Sequence, residues 1–89
     1  MNQIKGRLIE ILDTKTGQGA KGVWTKTDML LETEDQYPKK VKIECWGNDA
    51  MAIKEIELGT SLYIDIDFES KEYQGKYYTS IKSTKITRA

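Results

Sequence analysis

Two segments of the chain alternate apolar and polar residues one by one, which is the pattern of a strand that buries one face. They are residues 39–46 (KKVKIECW) and residues 61–69 (SLYIDIDFE). Because side chains alternate between the two faces of a strand, each segment offers one face to a core and one to solvent. The predicted inward residues are Val41, Ile43, Cys45, Leu62, Ile64, Ile66 and Phe68. The pattern favours an all-β fold.

The remaining segments complete a set of five strands and one helix. Further strands are predicted over residues 4–12, 23–34 and 76–87, with a flexible loop rich in glycine and lysine over residues 13–22. Residues 50–56 have helical composition, and Asn48 or Asp49 is the candidate N-cap. Three strands, a short helix and two more strands form the order of a five-stranded OB-fold Greek-key barrel, with its helix between strands 3 and 4. An SH3-like barrel or another small β-roll is the alternative, which the helix disfavours.

Length and residue inventory exclude several classes of function. The chain of 89 residues fits one OB-fold domain over residues 1–89. It has one cysteine and no histidine, which excludes an intrachain disulfide, histidine-based metal sites and Cys–His or Ser–His catalysis. The apolar runs are too short to span a bilayer, and MNQIKGRLIE does not resemble a signal peptide. We expect no catalytic residue, no metal and no membrane association, in a reducing cytoplasm.

One glycine motif matches a cofactor fingerprint but lacks its context. Residues 17–22, GQGAKG, fit G-x-G-x-x-G, the phosphate-binding loop of dinucleotide-binding domains. That loop must open a helix within a βαβ unit, whereas the following VWTKTDMLLE has the composition of a strand. We therefore expect no nucleotide or other cofactor.

The segment SKEYQGKYYT, residues 70–79, holds three of the five tyrosines. Gln74 and Gly75 are suited to the two-residue turn of a hairpin. Pairing across this turn predicts an outer face that carries Lys71, Tyr73, Lys76 and Tyr78. Tyr77 shares the parity of Phe68, so we expect it to lean toward the core.

The last strand changes parity along its length. Ser80, Lys82 and Thr84 continue the outer face of the hairpin, yet the apolar Ile86 stands in the same register. Ile86 breaks the parity of the strand, so we expect a β-bulge or a twist after Lys82.

The same alternation gathers aromatic and basic side chains on one outer surface. Aromatic rings stack on unpaired bases and lysines follow the phosphate chain, a mode of binding that tolerates any sequence. Because the net charge is zero, such binding requires the charges to be segregated, and Asp28, Glu32 and Glu44 make the segregation incomplete. The residues predicted to share the surface are Trp24, Lys26, Lys40, Lys42, Trp46, Lys71, Tyr73, Lys76, Tyr78 and Lys82, and Lys21 joins them from the predicted loop.

Each part of this surface also has a purely structural interpretation. Exposed tyrosines of a hairpin form cross-strand pairs, and hairpin lysines protect a sheet edge. Trp24 and Trp46 can pack against a loop or another subunit. Two other functions therefore stay open: an OB-fold module for protein interaction or scaffolding, and a binder of RNA or oligosaccharide.

Residues 39–85 contain an ordered series of motifs: VKIECWG, a short helix, the dipeptide LG at 58–59, the strand LYIDI and the hairpin SKEYQGKYYT. This series resembles bacterial and phage single-stranded DNA-binding proteins of the OB-fold type. The whole chain, including GVWTKTDMLLETEDQYPKKV, is also similar to a compact family of small bacterial and phage proteins described as a domain of unknown function.

The resemblance implies roles for individual residues. Trp46 stands in the place of the stacking aromatic before the glycine, Tyr73 in that of the ascending hairpin strand, and Tyr78 matches a tyrosine of the returning strand. Lys40 stands where better-known bacterial members carry another stacking tryptophan, for which Trp24 is the candidate replacement. The family commonly forms dimers and tetramers, which implies a homo-oligomer in a bacterial cell or a phage-infected host.

The predicted function is sequence-tolerant binding and protection of single-stranded DNA in replication, recombination or repair. Trp46, Tyr73, Tyr78 and Trp24 are the predicted stacking residues. The predicted phosphate contacts are Lys21, Lys26, Lys40, Lys42, Lys71, Lys76 and Lys82. We expect the affinity to fall as salt rises, because lysines that bind phosphates release counterions.

Overall fold

The computed structural model describes residues 2–89. Its five strands form a closed barrel of strand order β1-β2-β3-β5-β4, in which four pairings are antiparallel and one is parallel. The strands are β1 (Asn2–Gly19), β2 (Gly22–Thr33), β3 (Lys40–Trp46), β4 (Ser61–Tyr73) and β5 (Lys76–Arg88). β1 pairs with both β2 and β4, and the parallel pairing of β3 with β5 completes the ring. The predicted OB-fold barrel is confirmed.

The short helix between β3 and β4 is also confirmed. It consists of α1 (Asn48–Ala52) followed by a 3₁₀ turn (Ile53–Glu55), and Ala50 and Ile53 are its buried residues. The predicted N-cap at Asn48 or Asp49 is wrong: the cap is Gly47, and no side chain caps the helix. Gly47 has a φ of 60°, a left-handed conformation that glycine adopts without strain as the chain turns out of β3. Neither this helix nor the 3₁₀ turn, within residues 2–89, is long and apolar enough to cross a membrane.

The core lies inside the barrel and is closed by the 3₁₀ turn. Its members are fully buried: Leu8, Met29, Leu31, Ile43, Cys45, Ile53, Leu62 and Ile64. Burying a side chain of this size contributes about 1.5–3 kcal/mol to folding. Burial also raises the pKa of the Cys45 thiol to about 11, so this thiol is protonated at neutral pH. The alternation of β3 and of the first half of β4 thus predicted the inward residues correctly.

The prediction of a flexible loop over residues 13–22 is wrong. β1 continues through this segment to Gly19, and a two-residue turn at Ala20 and Lys21 leads into β2. The register is regular from Thr14 opposite Thr27 to Gly19 opposite Gly22, after two irregularities earlier in β1. Three glycines suggested a loop, but pairing with β2 stabilises the extended chain despite them. We call residues 14–19 and 22–27 the first arm.

The hairpin of β4 and β5 has the predicted turn and register. Gln74 and Gly75 both have positive φ angles, 51° and 79°, as a type I′ turn requires. Tyr73 pairs with Lys76, and the pairing continues down both strands without slippage as far as Ile66. There the register shifts and leaves Thr84 without a partner, which confirms the bulge expected after Lys82.

The predictions that Phe68 faces the core and that Tyr77 leans toward it are wrong, because both side chains are exposed. Their exposed fractions are 56% and 71%, although both have the parity of the inward face. Parity determines which side of the strand a residue occupies, but burial needs a second layer of structure on that side. β4 from residue 68 and β5 as far as residue 79 run beyond the barrel as a two-stranded ribbon with solvent on both faces, and the half-buried Ile81 is where β5 rejoins the core. We call residues 68–73 and 76–79 the second arm.

Candidate nucleic-acid interface

Trp46, the last residue of β3, lies at the centre of the outer surface. Lys26 of β2 is its direct cross-strand partner, and the pairing of Glu44 with Lys82 brings β5 to its other side. The ring centroid of Trp24 lies 5.7 Å from that of Trp46 with the planes tilted by 52°. Each indole is 39% exposed. The structure therefore brings together Trp24, Lys26, Trp46 and Lys82, as the alternation predicted.

Gly17 allows Trp24 to lie where it does. Gly17 is the partner of Trp24 in the β1–β2 ladder, and a Cβ atom placed on it would come within 2.7 Å of Trp24 Cε2. No side chain fits in that space, so the indole packs directly against the backbone of β1. A Cβ on Gly19 would instead lie 3.6 Å from Trp24 Cδ1, an ordinary contact. Glycine is thus required at position 17 by the packing of Trp24.

Lys26 is held between two carboxylates. Its Nζ lies 3.5 Å from Asp28 Oδ1 and 3.4 Å from Glu44 Oε2, and the three side chains are only 19%, 15% and 16% exposed. Asp28 Oδ1 is buried without a hydrogen bond, which leaves Lys26 as its compensating charge. Glu44 also accepts a hydrogen bond of 3.2 Å from Trp46 Nε1. This ion cluster therefore orients the Trp46 ring.

Two ammonium groups lie over the Trp46 ring. Lys26 Nζ is 6.0 Å and Lys82 Nζ 5.7 Å from the ring centroid, both within the range of cation–π attraction. An exposed aromatic ring next to positive charge is the combination that binds a base together with its phosphate. Trp46 thus has the surroundings of a stacking residue.

The outer face of the second arm continues the surface from Lys82. Lys71 pairs with Tyr78 and Tyr73 with Lys76, as predicted. Tyr73 is 65% exposed and Tyr78 is 58% exposed. Glu69 lies on the same face, where its Oε1 is 3.8 Å from Lys71 Nζ and 3.9 Å from Lys82 Nζ. This bridge links the arm to the Trp46 cluster.

Three predicted lysines lie away from the cluster. Lys21 is in the turn at the tip of the first arm. Lys42 and Lys40 pair with Leu30 and Glu32. They are four and six residues from Trp46 along β3, or about 13 and 20 Å at ~3.3 Å per residue. They extend the outer face toward the other end of β3 and do not contact the tryptophans.

Sequence reasoning missed two charged residues of this surface. Lys15 pairs with Lys26 and is exposed, but the loop prediction removed it from the ladder. The alternation of Thr14, Lys15 and Thr16 was the signal that pointed to a strand. Glu69 has the outward parity of β4, but its position between two lysines follows only from the pairing of β4 with β5. Among residues 2–89 no three His, Cys, Asp or Glu side chains are placed to hold a metal ion.

Comparisons with known proteins agree with this architecture. A family model described as "Domain of unknown function (DUF3127)" matches residues 3–87. The search among curated proteins finds no similar sequence.

Several solved structures share the fold. The mitochondrial single-stranded DNA binding protein Rim1 of S. cerevisiae aligns with a TM-score of 0.72 at 11% identity, over 98% of this chain and 91% of that one. The SSB domain of a Synechococcus protein gives 0.66 at 12% identity, over 96% and 90%. PriB from Ralstonia solanacearum gives 0.62 at 15%, over 98% and 94%. At such identities the likeness shows a common fold.

Proposed function

Because the chain belongs to the family DUF3127, whose function its description leaves open, we propose a function from the outer surface: the protein binds single-stranded DNA without sequence preference and covers it. The observation that carries this proposal is the exposed Trp24–Trp46 pair with the ammonium groups of Lys26 and Lys82 at the Trp46 ring. The shared fold of solved proteins described as single-stranded DNA binding proteins supports it.

In this proposal the strand runs from the tryptophan pair onto the outer face of the second arm. Bases stack on Trp46, Trp24, Tyr73 and Tyr78, and each stack contributes about 1–3 kcal/mol. The phosphates are bound by lysines on the same path and beyond it: Lys21, Lys26, Lys40, Lys42, Lys71, Lys76 and Lys82. Stacking needs no particular base, so the protein tolerates any sequence.

The wider role follows from this activity. Residues 1–89 act as one binding domain that protects strands exposed during replication, recombination or repair in the cytoplasm of a bacterial cell or a phage-infected host. The domain is a binder and not an enzyme, and it works as a homo-oligomer, a dimer or tetramer. Sedimentation of the free protein and of its DNA complex measures the oligomeric state.

The test is a titration of tryptophan fluorescence with an oligothymidylate of about sixteen nucleotides, the upper site size of one OB-fold. Stacking on Trp46 and Trp24 quenches the emission, and added salt reverses the quenching with a slope of about −0.7 per phosphate contact. The absence of both quenching and a mobility shift at low salt would contradict the proposal. Parallel titrations with oligouridylate and with duplex DNA distinguish RNA binding and duplex binding from it.

Two adjacent tyrosines provide a matched pair of variants. Tyr78→Ala removes a ring from the proposed path and is expected to weaken binding by about 1–3 kcal/mol. Tyr77→Ala removes a ring that is even more exposed, 71% against 58% for Tyr78, from the opposite face of the same arm and is expected to leave the affinity unchanged. Equal losses in the two variants would show that the outer face of the arm does not carry the strand.

A further inference from the structure

We propose that Glu69 occupies, in the free protein, the place of a phosphate oxygen of the bound strand, and that the strand must displace it. Lys71, Lys82 and the space between them then form one phosphate subsite with an internal competitor. This inference rests on the proposed binding of single-stranded DNA and adds a residue that opposes it.

The geometry is that of a single anionic oxygen shared by two cations. Glu69 Oε1 lies 3.8 Å from Lys71 Nζ and 3.9 Å from Lys82 Nζ, so one carboxylate oxygen bridges the two lysines and leaves the group with a net charge of about +1. A phosphodiester oxygen has the same charge and the same hydrogen-bonding capacity. The two ammonium groups are thus already spaced for one such oxygen.

A small depression lies beside this bridge. Its volume is about 20 Å³, enough for one atom of the size of a water oxygen. The residues that line it are Asp67, Phe68, Glu69, Ser80 and Lys82. The space adjoins Lys82 and is lined by two carboxylates, so departure of the Glu69 side chain removes one of the two anionic groups that a phosphate oxygen would meet there.

The exposure of Glu69 shows that it can leave. Its side chain is 53% exposed, and those of Lys82 and Lys71 are 40% and 76% exposed. Ion pairs this exposed, with distances near 4 Å, are weak. Lys26 differs, because Asp28 and Glu44 surround it at 3.4–3.5 Å with less than a fifth of each side chain exposed. The exposed bridge at Glu69 is therefore the easier of the two to displace.

The charge of Glu69 therefore opposes binding in two ways. It engages two lysines in the free protein, and after displacement it remains close to the phosphates and repels them. Glu69→Gln keeps the shape of the side chain and removes both effects. We expect the variant to bind the oligothymidylate about three- to tenfold more tightly near 0.1 M salt, where charges beyond about 10 Å are screened.

The matched control is Glu72→Gln. Glu72 lies on the same arm and carries the same charge, but it pairs with Tyr77 on the opposite face. Its substitution changes the net charge equally and is expected to change the affinity less than twofold. A second variant, Lys71→Gln, should weaken binding more in the Glu69→Gln background than in the wild type, because only there is Lys71 free of its internal partner.

The outcomes separate this inference from the function on which it rests. Tighter binding by Glu69→Gln alone supports the inference. Two results overturn the inference and leave the proposed function standing. They are equal affinity in the wild type, Glu69→Gln and Glu72→Gln, or an equal gain in the two variants. No binding by any of them at low salt overturns both. An abasic oligonucleotide, which offers phosphates without bases, should keep the gain of Glu69→Gln, and loss of the gain there overturns the phosphate-subsite assignment.

Discussion

The two arms are built from the same antiparallel ladder, but only the first carries a fully buried side chain and packs an aromatic ring against neighbouring strands. In the first arm Thr27 is fully buried, and Trp24 packs on Gly17 and contacts Trp46. In the second arm every side chain from residue 68 to residue 79 is exposed. The first arm therefore presents its aromatic ring in a fixed place, whereas the second is held by its ladder and turn.

The difference suggests a division of labour in the proposed complex. A ring whose position is fixed before binding costs little ordering when a base stacks on it. Tyr73 and Tyr78, which no second layer covers, must be ordered by the strand itself. We expect the tryptophan pair to supply an invariant contact and the second arm to adapt to the path of the strand.

The largest expected effect is that of Gly17→Ala, which tests whether the first arm depends on the packing of Trp24. The new methyl group has no room against the indole, so Trp24 must move away from Gly17. We expect a loss of about 1–3 kcal/mol in the free energy of unfolding, as for other overpacked sites. Urea unfolding followed by tryptophan fluorescence measures it.

Gly19→Ala is the control for this variant, because its methyl group makes only an ordinary contact with Trp24. It is expected to change the stability by less than about 0.5 kcal/mol. Equal effects of the two substitutions would mean that Trp24 is not fixed by Gly17, and that the contrast between the arms is smaller than proposed here.

A smaller effect is expected from Thr27→Val, which tests the junction of the first arm with the barrel. The Thr27 hydroxyl is buried and lies 3.0 Å from that of Thr14. Losing this hydrogen bond is expected to cost about 0.5–1.5 kcal/mol. Thr79→Val removes the corresponding hydrogen bond of the second arm, which joins the hydroxyls of Thr79 and Ser70 over 2.7 Å. That pair is exposed, so water can replace the Thr79 hydroxyl as a partner of Ser70. Thermal unfolding should show a lower Tm for Thr27→Val alone, and equal shifts would contradict the assignment.

The smallest expected effect concerns local opening in the unmodified protein. Amide groups of the second arm are shielded only by their ladder, so they should exchange with solvent deuterium faster than those of the first arm. Hydrogen exchange resolved by NMR measures both arms in one sample. Equal protection would remove the distinction between a fixed and an adaptable arm, and added oligothymidylate should slow exchange chiefly in the second arm.

Local patterns in the chain predicted much of the candidate site. The alternation of β3 placed Trp46 on the outer face, and the turn at Gln74 and Gly75 determined the partners of Tyr73 and Tyr78. Both predictions concern period-two geometry or a short turn, which depend on neighbours in the chain. The position of Lys26 between Asp28 and Glu44 was beyond such reasoning, since Glu44 reaches it only through the pairing of β2 with β3.

The sequence by itself determined the order of elements, the hairpin turn, the bulge in β5 and the face on which each strand residue lies, because these follow from local composition and parity. Only the tertiary structure decided how far each strand runs beyond the barrel. That extent turned a predicted loop into the first arm and left Phe68 and Tyr77 in solvent. Parity assigns a side, but burial and ion pairing depend on what the closed barrel places against that side.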